Sequence, residues 1–388
     1  MIASEIMAAL NQVLPGKRPI ALHEPRFGGN EWRYVKDCLD TGWVSSAGNH
    51  ISRFEEQLQD FTGTPYAIAV VNGTAALHAA LQLSGVRPGD EVLTPALSFV
   101  ATANAISYCG GIPHFMDSET ATLGASPSAV AEYLDDIAQV AGDVCLNRST
   151  GRPIRAIVPM HTFGHPVAIE EFIELCDRFK LVLVEDAAES LGSYYDGRHT
   201  GTFGLLGTLS FNGNKIMTTG GGGAILTSDK ALAQQARHVT TTARVGHRWA
   251  FSHDQVGYNY RMPNINAALG CAQLEQISDF IDAKRRLAAR YHEAFDSVAG
   301  ASMFSEPPKC RSNYWLNALL LDQPSESMLN ELLAATNEGG VMTRPAWTLM
   351  HRLPMYASCP RMDLPVAEDL VKRLLNLPSS AILGCSDD

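Results

Sequence analysis

The chain has 388 residues, enough for two domains or for one large domain with a smaller one. Hydrophobic residues make up 46% of it and charged residues 18%, a balance that excludes an intrinsically disordered chain. The formal net charge of −11 disfavours a surface built to bind nucleic acid or anionic lipid.

Three features of the sequence point to the cytoplasm. The first residues carry Glu5 and lack both the basic leader and the apolar core of a signal peptide. No apolar run approaches the roughly 18 residues that a membrane span needs. The eight cysteines are scattered singly, without a C-x-x-C pair, so we expect reduced and mostly buried thiols. We therefore expect a cytoplasmic protein with no membrane partner.

Short apolar segments bounded by turn residues are predicted to be strands. They begin at Ala67, Glu91, Ile112, Ala156, Leu181, Leu206 and Gly222. Several are apolar throughout, which is typical of strands buried on both faces. Helix-like segments alternate with them, among them residues 74–85 and 128–141. This alternation predicts a mostly parallel α/β sheet.

The pattern changes after Arg244. There follow a long helix-rich stretch, a strand candidate and two short amphipathic helices, at residues 264–297, 313–321, 328–337 and 367–376. We therefore predict a large α/β domain over residues 1–245 and a smaller C-terminal α+β domain over residues 246–388.

Asp186 and Lys215 are the first candidates for chemistry. Asp186 directly follows an apolar strand, so its carboxylate lies at the carboxyl end of the sheet, where α/β proteins bind ligands. An acid there is also a common helix cap. Lys215 precedes the glycine run Gly220 to Gly223, and a lysine in a desolvated cleft acts as an amine nucleophile toward a carbonyl. A solvated loop lysine is the plainer alternative.

A third candidate is the junction of Asn72, Gly73 and Thr74, where a predicted strand passes into a helix. Free backbone N–H groups and the helix dipole suit a phosphate there, although such residues are common at these junctions. A fourth is Phe99, whose ring either stacks on a flat ligand or packs in the core.

His161 and His165 have the spacing of a helical metal-binding pair. Gly164 and Pro166 oppose a helix at this position. We therefore expect no metal site, and a role for this loop in shaping the site.

In their order and in their amino-acid motifs these segments resemble the DegT/DnrJ/EryC1/StrS family of sugar aminotransferases. These are pyridoxal-phosphate enzymes of the aspartate aminotransferase fold. The resemblance runs from about Pro25 to Pro378 and includes GWVSSAGNHISRFE, GTAALHAAL, HTFGHP, EDAAES, SFNGNK, GYNYRMPNINAALG and LPSSA. It implies fold type I, with a large, mostly parallel seven-stranded sheet domain and a smaller C-terminal α+β domain.

The resemblance also implies roles for single residues. Lys215 resembles the lysine that forms the Schiff base with the cofactor, and Asp186 the carboxylate that keeps the ring nitrogen protonated. Further implied cofactor contacts are Phe99 on the ring face, Gly73, Thr74 and Ser210 at the phosphate, and Asn259 from the neighbouring subunit. The contribution of Asn259 implies a homodimer whose active sites are shared.

Glu189 departs from the wider family, which more often has Gln or His at this position. A carboxylate facing the phenolic oxygen of the cofactor is repelled unless one of the two holds a proton. Glu189 is therefore either a protonated donor with a raised pKa, or it turns away from the cofactor.

The implied reaction is transamination, in which L-glutamate loads its amino group onto the cofactor, which passes it to a nucleotide-linked keto-sugar. Lys215 would move protons between substrate and cofactor as the general acid-base. A sugar dehydratase is an alternative, but relatives of that kind replace the lysine with histidine, so Lys215 argues against it. A non-catalytic regulator is a third alternative, disfavoured by the acidic charge and the lack of a helix-turn-helix signature.

Residues 40–58, 113–119 and 343–354 look most like the branch that handles 2-acetamido-4-keto-6-deoxyhexoses for bacillosamine and legionaminic acid. We therefore expect UDP-2-acetamido-2,6-dideoxy-4-ketoglucose as the acceptor, in the biosynthesis of a bacterial surface glycan. A dTDP- or GDP-linked 4-keto-6-deoxyhexose is the alternative. The candidate substrate contacts are Trp43, Arg344 and His351, each of which also fits a packing role.

Overall fold

The computed structural model describes residues 2–385. The helices are α1 (Ile2–Val13), α2 (Glu31–Thr41), α3 (Asn49–Thr62), α4 (Gly73–Leu83), α5 (Val100–Tyr108), α6 (Pro127–Ile137), α7 (Ile169–Phe179), α8 (Lys230–Thr240), α9 (Asn264–Leu274), α10 (Ile277–Phe295), α11 (Glu326–Glu338) and α12 (Pro365–Leu370). Short 3₁₀ turns lie at Thr162–Gly164, Met350–Arg352, Pro354–Tyr356 and Ala381–Gly384.

The strands are β1 (Tyr66–Val70), β2 (Glu91–Pro95), β3 (Ile112–Met116), β4 (Ala138–Ala141), β5 (Val144–Asn147), β6 (Pro153–Ile157), β7 (Val182–Asp186), β8 (Tyr194–Tyr195), β9 (Arg198–His199), β10 (Leu206–Ser210), β11 (Gly223–Thr227), β12 (Arg244–Val245), β13 (Ser252–His253), β14 (Ala301–Met303), β15 (Cys310–Arg311), β16 (Asn317–Leu321), β17 (Arg344–Pro345) and β18 (Leu374–Leu377).

The large sheet runs in the order β1-β11-β10-β7-β6-β2-β3, with the β4–β5 hairpin joined to β6. Pairing is parallel from β10 through β3, whereas β11 is antiparallel to both of its neighbours. The predicted fold class, a mostly parallel α/β sheet with seven strands in its main path, is confirmed. The parallel strands all point the same way, so β7 and β10 end at the same edge.

Close packing brings the start of α4 to this edge as well. The side chain of Asn72 caps α4 by accepting a hydrogen bond from the backbone N–H of Ala75 at 2.7 Å. β11 begins beside this turn, and a Cβ on Gly223 would lie 2.6 Å from the backbone of Asn72. Only glycine permits this approach of β11 to the turn between β1 and α4.

The smaller sheet has the order β14-β16-β18-β17 and is antiparallel throughout. The apolar residues between it and its helices form one cluster, which includes Ile6, Leu10, Tyr291, Leu332 and Leu375. Helix α1 therefore packs with the C-terminal part of the chain, whereas α9 packs against α2 and α3. These apolar clusters combine residues from both sides of position 245. The predicted domain boundary at residue 245 stays a prediction.

Two predicted helices continue as strands. α6 ends at Ile137, and residues 138–141 form β4, which pairs antiparallel with β5. α12 ends at Leu370, and β18 lies between β16 and β17 with every residue buried. The helical expectation for these ends was wrong because strand pairing and burial outweigh helix propensity.

All eight cysteines are free. Four of them are buried and four are partly exposed, so the expectation of mostly buried thiols holds for half of the set. Within residues 2–385, no helix has both the length and the apolar composition to cross a membrane.

Candidate active site

A pocket with a volume of about 260 Å³ opens where β7 and β10 end and α4 begins. It brings together eight of the residues singled out from the sequence: Asn72, Gly73, Thr74, Phe99, Asp186, Glu189, Ser210 and Lys215. These residues span more than 140 positions in the sequence, so the fold alone makes them neighbours. The pocket is the candidate active site.

Asp186 is the last residue of β7 and is 3% exposed. Its carboxylate accepts hydrogen bonds from the hydroxyl of Thr102 at 2.7 Å and from the backbone N–H of Ala188 at 3.1 Å. Burial raises its pKa, and these two donors, with the charge of Lys215, only oppose that rise. Neither hydrogen-bond partner carries a charge, so the carboxylate is suited to a cationic N–H from a ligand.

Lys215 and Glu189 form an ion pair within the pocket. The Nζ of Lys215 lies 3.2 Å from Oε1 of Glu189, and the other carboxylate oxygen accepts from the backbone N–H of Phe163 at 2.9 Å. Burial raises the pKa of Glu189 to about 7, although the charge of Lys215 acts in the opposite direction. Glu189 thus faces the pocket, and its proton is exchangeable near neutral pH.

The first turn of α4 supplies an anion cradle. Gly73 lies so close to Ser210 that a Cβ on it would be 2.8 Å from the Cβ of Ser210. Backbone N–H groups of the first helical turn have no partner within the helix, and the helix dipole places partial positive charge there. Gly73, Thr74 and Ser210 line the pocket together, and this arrangement suits a phosphate.

Aromatic side chains form part of the wall of the pocket. Phe99 is 49% exposed, and its ring meets the ring of Trp347 edge to face at 6.4 Å. Trp347 also lies 4.8 Å from the ring of Phe163. A half-exposed phenylalanine at a pocket is free to stack on a flat ring, as the sequence suggested.

Several pocket residues were missed by the sequence analysis. Among them are Thr102, Met160, Asn212, Asn214, Trp315 and Trp347. Thr102 lies three residues after Phe99, and this spacing on a helix start was an available signal. Trp315 lies in a segment assigned only as a strand candidate, and nothing local marks it as a pocket residue.

The remaining predicted residues lie outside this pocket. Asn259 is exposed and forms a β-bridge with Thr241. Trp43 is exposed and its carbonyl accepts a hydrogen bond from Asn264, while His351 pairs with Glu368 at 3.0 Å. Their roles, like those of the pocket residues, stay predictions.

Arg344 lines a second cavity of about 510 Å³ that adjoins the first. The two cavities share Asn214, Trp315 and Trp347. One guanidinium nitrogen of Arg344 donates to Asn337 and to the carbonyl of Thr343. The second cavity therefore contains a cationic side chain and is separated from the candidate active site only by the residues that line both.

The HTFGH loop supports the site from behind. His161 accepts at Nδ1 from the backbone N–H of Val167, so its Nε2 carries a proton and donates to Glu185 at 3.1 Å. Glu185 is fully buried and also accepts backbone N–H groups from Gly201 and Gly204. This network fixes the strand that presents Asp186. Among residues 2–385, no group of three or more His, Cys, Asp or Glu side chains is arranged to hold a metal ion.

These features together suit a flat aromatic ligand with a phosphate at one end, a protonated ring nitrogen at the other and a carbonyl facing Lys215. An amine beside a carboxylate whose pKa lies near 7 is able to take up and release protons. The arrangement therefore fits nitrogen transfer at a carbonyl carbon.

Known proteins match this chain over nearly its whole length. A sequence model of the DegT/DnrJ/EryC1/StrS aminotransferase family matches residues 25–387. A GDP-perosamine synthase from Escherichia coli O157:H7 is 38% identical over 360 residues, covering 93% of each protein. A GDP-perosamine synthase from Vibrio cholerae is 35% identical over 93% of this chain and 94% of its own length. Among solved structures, an aminotransferase from Streptoalloteichus hindustanus is similar with a TM-score of 0.83 and 29% identity, covering 93% of each chain.

The raised pKa of Glu189 predicts a pH-dependent stability. Because its folded pKa is about 7 and its ordinary value 4.5, the folded protein keeps a proton that the unfolded chain releases between these values. The contribution of Glu189 to the free energy of unfolding of the cofactor-free protein should therefore fall as pH rises through this window, by up to about 3 kcal/mol. Urea unfolding of wild type and Glu189→Gln at several pH values measures this contribution, as the change with pH of the difference between the two proteins.

Glu56→Gln is the matched control, because Glu56 is exposed on the surface of α3. The Glu56→Gln variant should show the same pH dependence of the free energy of unfolding as wild type. Parallel stability curves for wild type and Glu189→Gln would contradict the assignment of the raised pKa.

Proposed function

The chain belongs to the DegT/DnrJ/EryC1/StrS aminotransferase family, and on this basis we propose that it moves the amino group of L-glutamate to carbon four of a nucleotide-linked 4-keto-6-deoxyhexose. Its class is that of a pyridoxal-phosphate-dependent nucleotide-sugar aminotransferase of fold type I. The donor, the position of amination and the nucleotide are the proposed parts. The observation that carries the proposed aminotransferase chemistry is the convergence of Lys215, Asp186 and the α4 cradle in one pocket.

The residues of the pocket fit the cofactor. Asp186 is buried beside uncharged donors and would hold the protonated ring nitrogen, while Gly73, Thr74 and Ser210 would hold the phosphate. When bound, pyridoxal phosphate withdraws electrons from the substrate carbon that carries the nitrogen. This fit supports the roles proposed for these side chains.

The protein groups then have separate tasks. Asp186 keeps the ring nitrogen protonated, because a buried carboxylate favours a cation beside it. Lys215 moves protons between the substrate and the cofactor through its Nζ. Glu189 holds that amine at 3.2 Å and stores a proton nearby. Both carboxylates are buried, which strengthens their interaction with a cation in the pocket.

We propose a GDP-linked sugar as the first candidate acceptor. Two relatives that cover the chain almost completely carry the name GDP-perosamine synthase, which supports this choice. The UDP-2-acetamido sugar expected from the sequence, and a dTDP-linked sugar, are the alternatives. The cavity beside the cofactor pocket is the proposed entry for the sugar nucleotide, with Arg344 as its cation for a phosphate or for the glutamate carboxylate.

We also propose a homodimer with shared active sites. Asn259 is exposed and does not line the pocket of its own chain, and the preceding segment exposes Trp249, Phe251 and Val256 by 74% or more. Large apolar side chains exposed close together are typical of a protein interface. A second copy of the chain covering this segment would bring Asn259 towards its active site.

Asp186→Asn should retain the cofactor but lower turnover by at least about 100-fold, because a neutral amide does not keep the ring nitrogen protonated. Cofactor absorbance and steady-state kinetics measure the two effects separately. The control is Asp177→Asn, an exposed acid on α7. Turnover near the wild-type rate in Asp186→Asn would remove Asp186 from its proposed role.

The acceptor is identified by competition among substrates. Holoenzyme and glutamate are given GDP- and dTDP-4-keto-6-deoxyhexoses and UDP-2-acetamido-2,6-dideoxy-4-ketoglucose, and kcat/KM is measured for each. We expect the highest value for the GDP-linked sugar. A higher value for either other nucleotide would replace it as the proposed acceptor, and amination of none would contradict the proposed function.

Shared sites predict complementation between two defective variants. Subunits with Lys215→Ala and subunits with Asn259→Ala should form mixed dimers that hold one intact site, because each site takes its lysine and its asparagine from different chains. Activity should therefore rise after subunit exchange. No gain after exchange has been verified by mass would indicate a site built within one chain.

A further inference from the structure

Trp315 contacts the amine that the proposed reaction depends on. The Nζ of Lys215 lies over the indole ring, 4.0 Å from its centroid, well inside the distance at which a cation is attracted to an aromatic face. Lys215 is 12% exposed at its side chain and Trp315 is 5% exposed, so water competes little with this contact. The amine is therefore held between a ring face on one side and the Glu189 carboxylate on another.

Hydrogen bonds fix the position of this ring. The indole N–H of Trp315 donates to the carbonyl of Asn214, next to Lys215, at 2.7 Å. The backbone N–H of Trp315 donates to Asn313 at 2.8 Å, and its carbonyl accepts from the buried amine of Lys284 at 3.1 Å. The ring consequently has little freedom to turn away from the lysine.

The same network ties the ring to the carboxylate. Asn313 is fully buried, and its amide nitrogen donates to the backbone carbonyls of Glu189 and Leu191, each at 2.9 Å. Its amide oxygen is the acceptor for Trp315. One side chain thus sets the spacing between the two groups that enclose the amine of Lys215.

We propose that Trp315 is a positioning residue that holds the free, protonated amine of Lys215 beside Glu189 whenever that amine is not joined to the cofactor. This inference rests on the role proposed above for Lys215. A long lysine side chain loses rotamer freedom when its amine is fixed, and the ring face and the carboxylate together offset that loss. The amine then remains within reach of the reacting atoms.

Other titratable groups around the amine are Asp186, Glu189 and His23. Burial and the charges of Lys284 and Lys215 lower the pKa of His23, so its ring is neutral. Substitutions at Trp315 keep the side chains of Asp186, Glu189 and His23. Matched variants at Trp315 therefore separate the effect of the ring face from that of the hydrogen bond made by its N–H.

The test uses the full-length cofactor-free protein and pyridoxal phosphate as the probe. The neutral amine attacks the aldehyde carbon, a carbon–nitrogen bond forms, and water leaves, so the rate of covalent capture rises with the neutral fraction of Lys215. The ring stabilises the charged form. Its removal in Trp315→Leu should therefore shift the pH midpoint of capture downward by about one unit.

Trp315→Phe is the matched variant, because it loses the same indole N–H as Trp315→Leu but keeps a ring face. Its profile should fall between those of wild type and Trp315→Leu. A Trp315→Leu profile that coincides with wild type would overturn the proposal. Equal shifts in both variants would also overturn it, because the hydrogen bond to Asn214 would then explain the effect.

Protein with fluorinated tryptophan at position 315 alone keeps the shape and the N–H of the indole while weakening the attraction of its face for a cation. It should shift the midpoint in the same direction even where Trp315→Leu does not fold, and an unchanged midpoint would overturn the proposal. Borohydride reduction and peptide mapping locate the captured cofactor. Capture on another lysine in wild type would overturn the role of Lys215, a result distinct from failure of the Trp315 variants.

Discussion

The carboxylate of Asp186 is buried at the end of a parallel strand, with only uncharged donors in hydrogen-bond contact. A buried acid of this kind is unfavourable as an anion unless a cation approaches it. The fold maintains this condition through Thr102 on α5 and through the network of Glu185 and His161 behind β7. The protonated ring nitrogen of the cofactor is the cation that we propose for this position.

The chain order explains why the other groups meet at this carboxylate. Parallel β7 and β10 end at the same edge, and the close approach of β11 brings the start of α4 to it. The anion cradle, the acid and the lysine thus line one pocket, together with aromatic side chains. Such a pocket suits a ligand with two unlike ends, and the adjoining cavity is the proposed place for the nucleotide sugar.

The local sequence pattern predicted the secondary structure correctly where burial and local propensity favour the same element. The apolar runs ending at Pro95 and Asp186 became β2 and β7, and the turn at Asn72 became a capped helix start. Local pattern failed where partners are distant in sequence: β18 is a strand because β16 and β17 flank it, and residues 138–141 left α6 to pair with β5. Trp315 lies 100 positions after Lys215, and only the fold brings its ring to the amine.

The packing of α1 sets an order for assembly during synthesis. Its apolar face, with Ile6 and Leu10, is buried against α10 and the small sheet, whose strand β18 ends at Leu377. At typical rates of translation, tens of seconds separate the emergence of α1 from that of β18. Until α10 emerges the first helix has an apolar face with no partner, and this face stays partly uncovered until the small sheet is complete, while the central sheet already has its own strands. The beginning of the chain is thus among the last parts to reach its final contacts, and a chaperone that shields apolar segments would find its substrate there.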